Sequence, residues 1–322
     1  MAVAATRPRA LVTGGSGFLG THLVARLVES GWAVRCATRR PYGEAPPGID
    51  CLDVGEIGPA TDWAAALDGV EVVFHLAARA HVLAASERDS ESDFERINVA
   101  GSARLARSAA EAGVRRIVYV STIGVHGDHT DGAAFDESSP LAPVTAYARS
   151  KLRGEEALRA ESRPGCEPAI LRPPLVYGAG VPGNLRRLLR LVASGVPLPL
   201  ASVQNRRSLI AAANLVDALV LCGETAQAAG HAFVVADAED LSTPELVRAL
   251  AAGLGTPARL WPAPPAGLRI AARLAGRAAL YRQLCGSLQV NAQKLRTALD
   301  WRPRVDARSA LCDTGRWFRR LS

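Results

Sequence analysis

The sequence predicts an α/β protein: a Rossmann-type, doubly wound parallel sheet with a smaller C-terminal lobe. Three observations carry that expectation. Short β-branched runs alternate with amphipathic helical stretches through the first half of the chain. The first run leads straight into "TGGSGFLG", a glycine turn that opens a helix. After Gly178 the alternation gives way to proline-broken loops, short helices and one further strand.

In chain order, "RALVTG" reads as strand one and "FLGTHLVARLVESG" as helix one, stopped by Gly31. "AVRCATR" and "GIDCLDV" are strands two and three, "WAAALDG" a short helix, and "VEVVFHLAA" a fully buried strand four. "DFERINVAGSARLARSAAEAG" is a long helix and "RRIVYVST" strand five. "AYARSKLRGEEALRAES" is another helix, and "EPAILRPPLVYG" is strand six, ending in a proline-rich turn. The sheet domain then spans 1–178. The lobe spans 179–322, with a segment near 207–240 that contributes "HAFVVADA" and returns to the sheet.

The 322 residues are 48% hydrophobic and 21% charged, an ordinary globular composition. No apolar run is long enough to span a membrane. The N-terminal "MAVAATRPRALVTGG" lacks a signal peptide's apolar core, which predicts a cytoplasmic protein. Six scattered cysteines, Cys36, Cys51, Cys166, Cys222, Cys285 and Cys312, read as small buried hydrophobes in a reducing compartment. His126 and His129 stand alone in "VHGDHTDG", so no metal site is expected. The net charge of +7 is spread over arginines in every predicted helix and no nucleic-acid motif accompanies it, which favours a field for an anionic substrate. Arg269, Arg273 and Arg277, four residues apart, read as a solvated helix face, with contact to a membrane surface as the alternative.

Two stretches carry the chemistry. Gly14, Gly17 and Gly20 sit between a buried strand and a helix N-terminus. A pyrophosphate needs missing side chains there, and the helix supplies N–H groups and a positive dipole end. Strand two ends in "CATRRP", with Arg39 and Arg40 where an NAD site usually has an acid. An arginine binds a 2′-phosphate through two N–H groups, which favours NADP(H) and leaves NAD(H) possible; the other reading of these arginines is stacking on adenine. In "YARSK", Tyr147 and Lys151 lie four apart and share one helix face. An ammonium there lowers a phenol's pKa and can hold ribose hydroxyls, a double role the planar guanidinium fits poorly. One of only two lysines stands at this spot in a chain of 38 cationic residues. Ser121 and Thr122 end strand five at the sheet's C-terminal edge, where open α/β folds bind ligands.

Together with "HLAA", "NVAGSARL", "VST" followed by "VHG", "LRPPLVYG" and "RRSLIAAANLVDALV", these motifs resemble the extended short-chain dehydrogenase/reductases over nearly the whole chain. Within that superfamily the resemblance is to the sugar-nucleotide epimerase/dehydratase/4-ketoreductase group. It implies Tyr147 as acid/base, Lys151 as its activator and Thr122 as hydroxyl helper. It implies cofactor contacts from Gly14, Gly17, Phe18, Leu19, Gly20, Arg39 and Arg40 at the glycine end. Asp53 and Val54 would sit near adenine, and Leu76, Ala77, Ala78, Asn98, Tyr147, Lys151 and Pro174 further along the dinucleotide. Asn98 would anchor the active-site helices through its amide. Arg79, Thr122, Asn184, Leu185 and Arg207 would bind substrate, Arg207 on its diphosphate, while Asp217 would be structural. "CGSLQVN", 285–291, would set the width of the sugar pocket.

Departures narrow the activity. Dehydratases of this group have an Asp-Glu pair after the threonine, whereas here Ile123 and Gly124 follow Thr122. Galactose-type epimerases place an Asn where Pro173, Pro174 and Leu175 stand, and an acid on strand two. The resemblance therefore implies a 4-keto reductase of a UDP-linked deoxy or N-acetylated hexose, serving surface polysaccharide or O-antigen precursors. The alternatives are a UDP-hexose or UDP-N-acetylhexosamine 4-epimerase with tightly bound NAD, and a non-catalytic dinucleotide sensor. It also implies a homodimer formed through helices near 92–112 and 146–162.

Overall fold

The computed structural model describes residues 7–40, 47–80 and 91–321. Seven parallel strands form one sheet in the order β3-β2-β1-β4-β5-β6-β9. β1 (Arg9–Thr13) is followed by α1 (Phe18–Glu29), β2 (Ala33–Thr38), β3 (Ile49–Asp53), α2 (Ala64–Leu67) and β4 (Val72–His75). The reversal of strand order between β1 and β4 makes the crevice at which such sheets bind ligands. Strand period sets the core: Ala10, Val12, Val72 and Phe74 face the layer under α1, while Leu11 and Val73 face the opposite layer. Both faces are thus covered, and β1 and β4 read as continuous apolar runs.

The long helix predicted after β4 is not uniform. α3 (Glu91–Phe94) passes into a π-helical stretch, Glu95–Ala100, before α4 (Gly101–Glu111). Such a stretch often marks a functional site, and here it carries Asn98. β5 (Arg116–Val120) ends in a 3₁₀ turn, Ile123–Val125, and α5 (Ala146–Ala160) follows a long connection.

"EPAILRPPLVYG" is two strands, which corrects the single strand six of the sequence reading. β6 (Pro168–Arg172) stays in the main sheet, whereas β7 (Leu175–Tyr177) pairs with β8 (Leu209–Ala211) in a separate two-stranded sheet. Pro173 and Pro174 donate no N–H, so the ladder stops and the chain leaves for the lobe. α6 (Gly183–Ala193) lies between β7 and β8, and α7 (Ala212–Glu224) returns to pack beside α1. β9 (Ala232–Val234) then adds the edge strand beside β6.

The lobe is more helical than proline-broken loops suggest. α8 (Thr243–Leu254), α9 (Pro265–Leu274), α10 (Ala278–Cys285), α11 (Gln293–Leu299) and α12 (Ala307–Arg319) complete it. Its prolines start helices: Pro244 occupies the first turn of α8 behind a capping box of Ser242 and Glu245. α8 and α12 cross closely, since a Cβ on Gly253 would collide with the Cys312 carbonyl.

Candidate active site

The glycine turn is built without side chains for steric reasons. Gly14 adopts φ +73, and a Cβ there would meet the Ala77 nitrogen at 2.9 Å. The Gly17 N–H donates to the Gly14 carbonyl at 3.0 Å, and a Cβ on Gly20 would overlap that same carbonyl. α1 starts at Phe18 with no acid in its first turn, so nothing anionic competes for its positive end. A crevice of about 340 Å³ opens here, lined by Gly14, Gly17, Val54, Leu76, Ala77 and Ala78. Arg39 and Arg79 line it too. The bare glycine cradle fits a dinucleotide pyrophosphate.

Other expected cofactor residues lie around that crevice without lining it. Phe18 is half-buried, edge-on to His22 at 5.5 Å, and Leu19 packs against the core under α1. Arg40 is exposed, Asp53 accepts from the Gly55 N–H at 2.9 Å, and Pro174 is buried. One carboxylate the sequence reading passed over, Glu56, lines the crevice. Its pairing with Arg96 at 3.0 Å holds it below the usual carboxylate range.

A relay of hydrogen bonds fixes the end of β4. The Ala77 N–H donates to Thr13 Oγ1, which lies 2.7 Å from His75 Nδ1. His75 Nε2 lies 3.0 Å from Ser102 Oγ, which donates to the Asn98 carbonyl. Burial, and then Lys151, push His75 down to about 3, so the ring is neutral. Asn98 joins the loop after β4 to α5. Its side chain accepts from the Arg79 N–H at 2.8 Å and donates to Ser150 Oγ at 2.9 Å, and Ser150 donates to the Tyr147 carbonyl. The crossing needs Gly154, whose added Cβ would lie 2.6 Å from the Asn98 carbonyl.

Thr145 caps α5 through the Ala148 N–H at 3.1 Å, which starts the helix one turn before Lys151. Lys151 is buried with its Nζ 3.9 Å from the centre of the Tyr119 ring. Burial pushes its pKa down to about 7, with Glu155 pulling the other way. Tyr147 is half-buried beside Phe94, ring centres 6.4 Å apart. Burial pushes its phenol up to about 12, which corrects the expected lowering by the ammonium. The reason is physical: the apolar surroundings that hold Lys151 also disfavour a phenolate, and they take part of the ammonium's charge away near pH 7. Thr122 accepts from the Gly124 N–H at 3.1 Å, and Gly124 separates it from Ala148 of α5, so Thr122 and α5 are neighbours.

A buried ionic network under this site escaped the sequence reading. Glu155 accepts from Ser121 Oγ at 2.5 Å and takes Arg172 in a two-pronged pair at 3.0 and 2.6 Å. Arg172 Nη1 donates to His126 Nε2 at 3.0 Å, and His126 Nδ1 donates to the Ser139 and Pro140 carbonyls. Burial, then Arg172, hold His126 below its ordinary pKa. The network ties the ends of β5 and β6 to α5. Glu155 had one visible signal, its position four residues after Lys151.

At the lobe, Arg207 donates to the Gly286 carbonyl at 3.0 Å and forms no ion pair among the described residues. Burial lowers its pKa. Asn184 donates to Gln283 Oε1 at 3.0 Å, while the Leu185 side chain is buried in the lobe core, leaving only its backbone for a ligand. "CGSLQVN" threads past Arg207: Ser208 donates to the Leu288 carbonyl and Asn205 to that of Gly286. Asp217 pairs with Arg26 and Arg304 at 3.4 and 3.1 Å.

A glycine cradle at a strand-order reversal, joined by Asn98 to a helix that carries Tyr147 and the buried Lys151, defines a dinucleotide-dependent oxidoreductase fold and site. Residues 10–236 match the NAD dependent epimerase/dehydratase family, and the chain belongs to it. It is 38% identical to a UDP-glucose 4-epimerase from Vibrio cholerae, across 91% of this chain and 90% of that one. The fold is similar to that of MoeE5, solved in complex with UDP-glucose and NAD, at TM-score 0.77, 25% identity, 98% of this chain and 100% of that one. It is also similar to UDP-N-acetylglucosamine 4-epimerase from Bacillus cereus, at TM-score 0.78, 21% identity, 97% of this chain and 99% of that one.

Proposed function

We propose that this protein reduces the 4-keto group of a UDP-linked deoxy or N-acetylated hexose, using NADP(H) in preference to NAD(H). The observation that carries the reading is Arg39 lining the adenosine end of the crevice, with Glu56, the acid that lines it too, engaged by Arg96. A guanidinium beside a carboxylate that another arginine already holds favours a 2′-phosphate, and an exchangeable reduced cofactor suits a reductase. When bound, the nicotinamide supplies the hydride. Tyr147 protonates the developing alkoxide, Thr122 holds the substrate oxygen, and Lys151 feeds the phenol's proton and holds the ribose. Arg207, lacking an acid partner among the described residues, takes the substrate diphosphate, with Asn184 and the Leu185 backbone toward the nucleotide. Residues 1–178 hold the dinucleotide and most of 179–322 the sugar nucleotide. The protein works in the cytoplasm as a homodimer, supplying surface polysaccharide precursors.

The test measures dissociation constants for NADPH and NADH and follows NADPH oxidation by a UDP-4-keto-6-deoxyhexose. Tighter NADPH binding with stoichiometric oxidation is expected. The second reading, a UDP-sugar 4-epimerase, is favoured by the identity to the V. cholerae enzyme. It would displace the first if the protein released one NAD per chain on denaturation and the native enzyme interconverted two UDP-sugars with no net cofactor use.

A further inference from the structure

We propose that the α9–α10 hairpin docks this protein on an anionic lipid surface. Neither helix has a buried residue, although both are amphipathic and end-to-end in the chain. Tyr281 Oη donates to the Pro265 carbonyl and holds the two together. Within α9 the half-buried side chains are Leu268 and Ala272, four apart and so on one face. Ile270 and Leu274 are displaced from them by two residues, about 200° around the helix, and form the outward crest. They are 57% and 84% exposed. A helix that only needed to cover the lobe would have turned these two inward. Leu280 on α10 and Trp261 just before α9 extend the exposed apolar surface.

The flanking charge says what covers it. Arg269 and Arg273 lie on one side of the crest and Arg277 begins α10. None of the three has a side-chain hydrogen bond or ion pair among the described residues. The arginines of this protein are spread along the chain, but its acids are not. Residues 246–299 contain eight Lys and Arg and no Asp or Glu, leaving 30 cationic against 31 acidic side chains elsewhere. The whole excess positive charge therefore resides in the stretch that carries the exposed crest. Apolar side chains flanked by arginines, on a hairpin whose own sequence has no acid and which meets Asp128 only at Arg282, at 3.7 Å, match the headgroup boundary of a bilayer that bears negative lipids. A second copy of this chain would bring the same cations and be repelled, so the charge favours lipid over self-association.

The full chain would be sedimented with unilamellar vesicles of phosphatidylcholine alone, and with about 30% phosphatidylglycerol added. Expected is binding to the anionic vesicles only, weakened as salt rises from about 0.1 to 0.5 M. The triple variant Arg269→Glu, Arg273→Glu, Arg277→Glu should lower partitioning by about a hundredfold or more. Leu274→Asp should weaken binding even at low salt, because it removes the apolar crest. These positions lie outside the catalytic and cofactor residues, so NADPH binding and melting temperature verify that each variant folds. Equal sedimentation with both vesicle types, or with neither, overturns the proposal. So does a concentration-dependent dimer that Leu274→Asp dissolves in the absence of vesicle binding.

Discussion

Lys151 is a cation in a place that barely tolerates one. Its folded pKa of about 7 stands against an ordinary 10.5. Above pH 7 the native lysine is neutral while the unfolded chain keeps the proton to about 10.5, so this group makes folding more favourable as pH rises between those values. Denaturant midpoints from pH 6 to 10 should show Lys151→Met gaining most over the parent below pH 7 and losing that advantage toward pH 10. Activity runs the other way: kcat/KM for the proposed keto reduction should fall as pH rises through about 7 and the ammonium disappears. Tyr147→Phe should lower kcat by about 10²–10⁴ while leaving NADPH binding intact. A flat pH profile, or an active Phe variant, would remove these two side chains from the chemistry. The placement of Tyr147 and Lys151 on one helix and of Thr122 just past a strand end was legible because helical spacing and a strand end are local properties. His126 and Arg172 were not, because their partners stand 46 and 17 residues away in sequence and only the fold brings them together.

Among elements, α5 is held by the ion pair beneath it as much as by its own turns. Arg172→Met would leave the fully buried Glu155 carboxylate with only Ser121 and the half-exposed Arg159, at a cost of about 3–5 kcal/mol. Adding Glu155→Gln should restore a substantial part of that loss in urea titrations. Additive losses would mean the two groups are not coupled. The element pattern itself was readable wherever a period of two or 3.6 ran uninterrupted. It failed at two kinds of interruption. Pro173 and Pro174 look like a turn after one strand, yet they hand the chain to another sheet, and that choice depends on β8, more than thirty residues later. The π stretch around Asn98 leaves no mark in composition, because the extra residue per turn serves a contact with α5 that is made in three dimensions.

At the scale of the molecule, Asp237 joins sheet to lobe. It accepts from Tyr177 Oη at 2.7 Å, Asn214 Nδ2 at 2.7 Å and the Ala211 N–H. Asp237→Ala should cost about 2–4 kcal/mol, because these donors lose their shared acceptor in a buried place. The KM for the sugar nucleotide should rise more than that for the dinucleotide, since two of the donors, Tyr177 and Ala211, sit on β7 and β8, outside the main sheet. An equal rise in both would place the strain in the sheet instead. This junction also bears on how the two parts can move. The chain passes between them after Arg172, again from β8 into α7, and again beyond β9, and α11 then packs on β9 before α12 returns to the lobe. A body tied down at so many points has no single pivot. Whatever motion admits and releases ligands here must be a short sliding of packed helices over one another, small in travel, and never the wide swing of a gate on one strap.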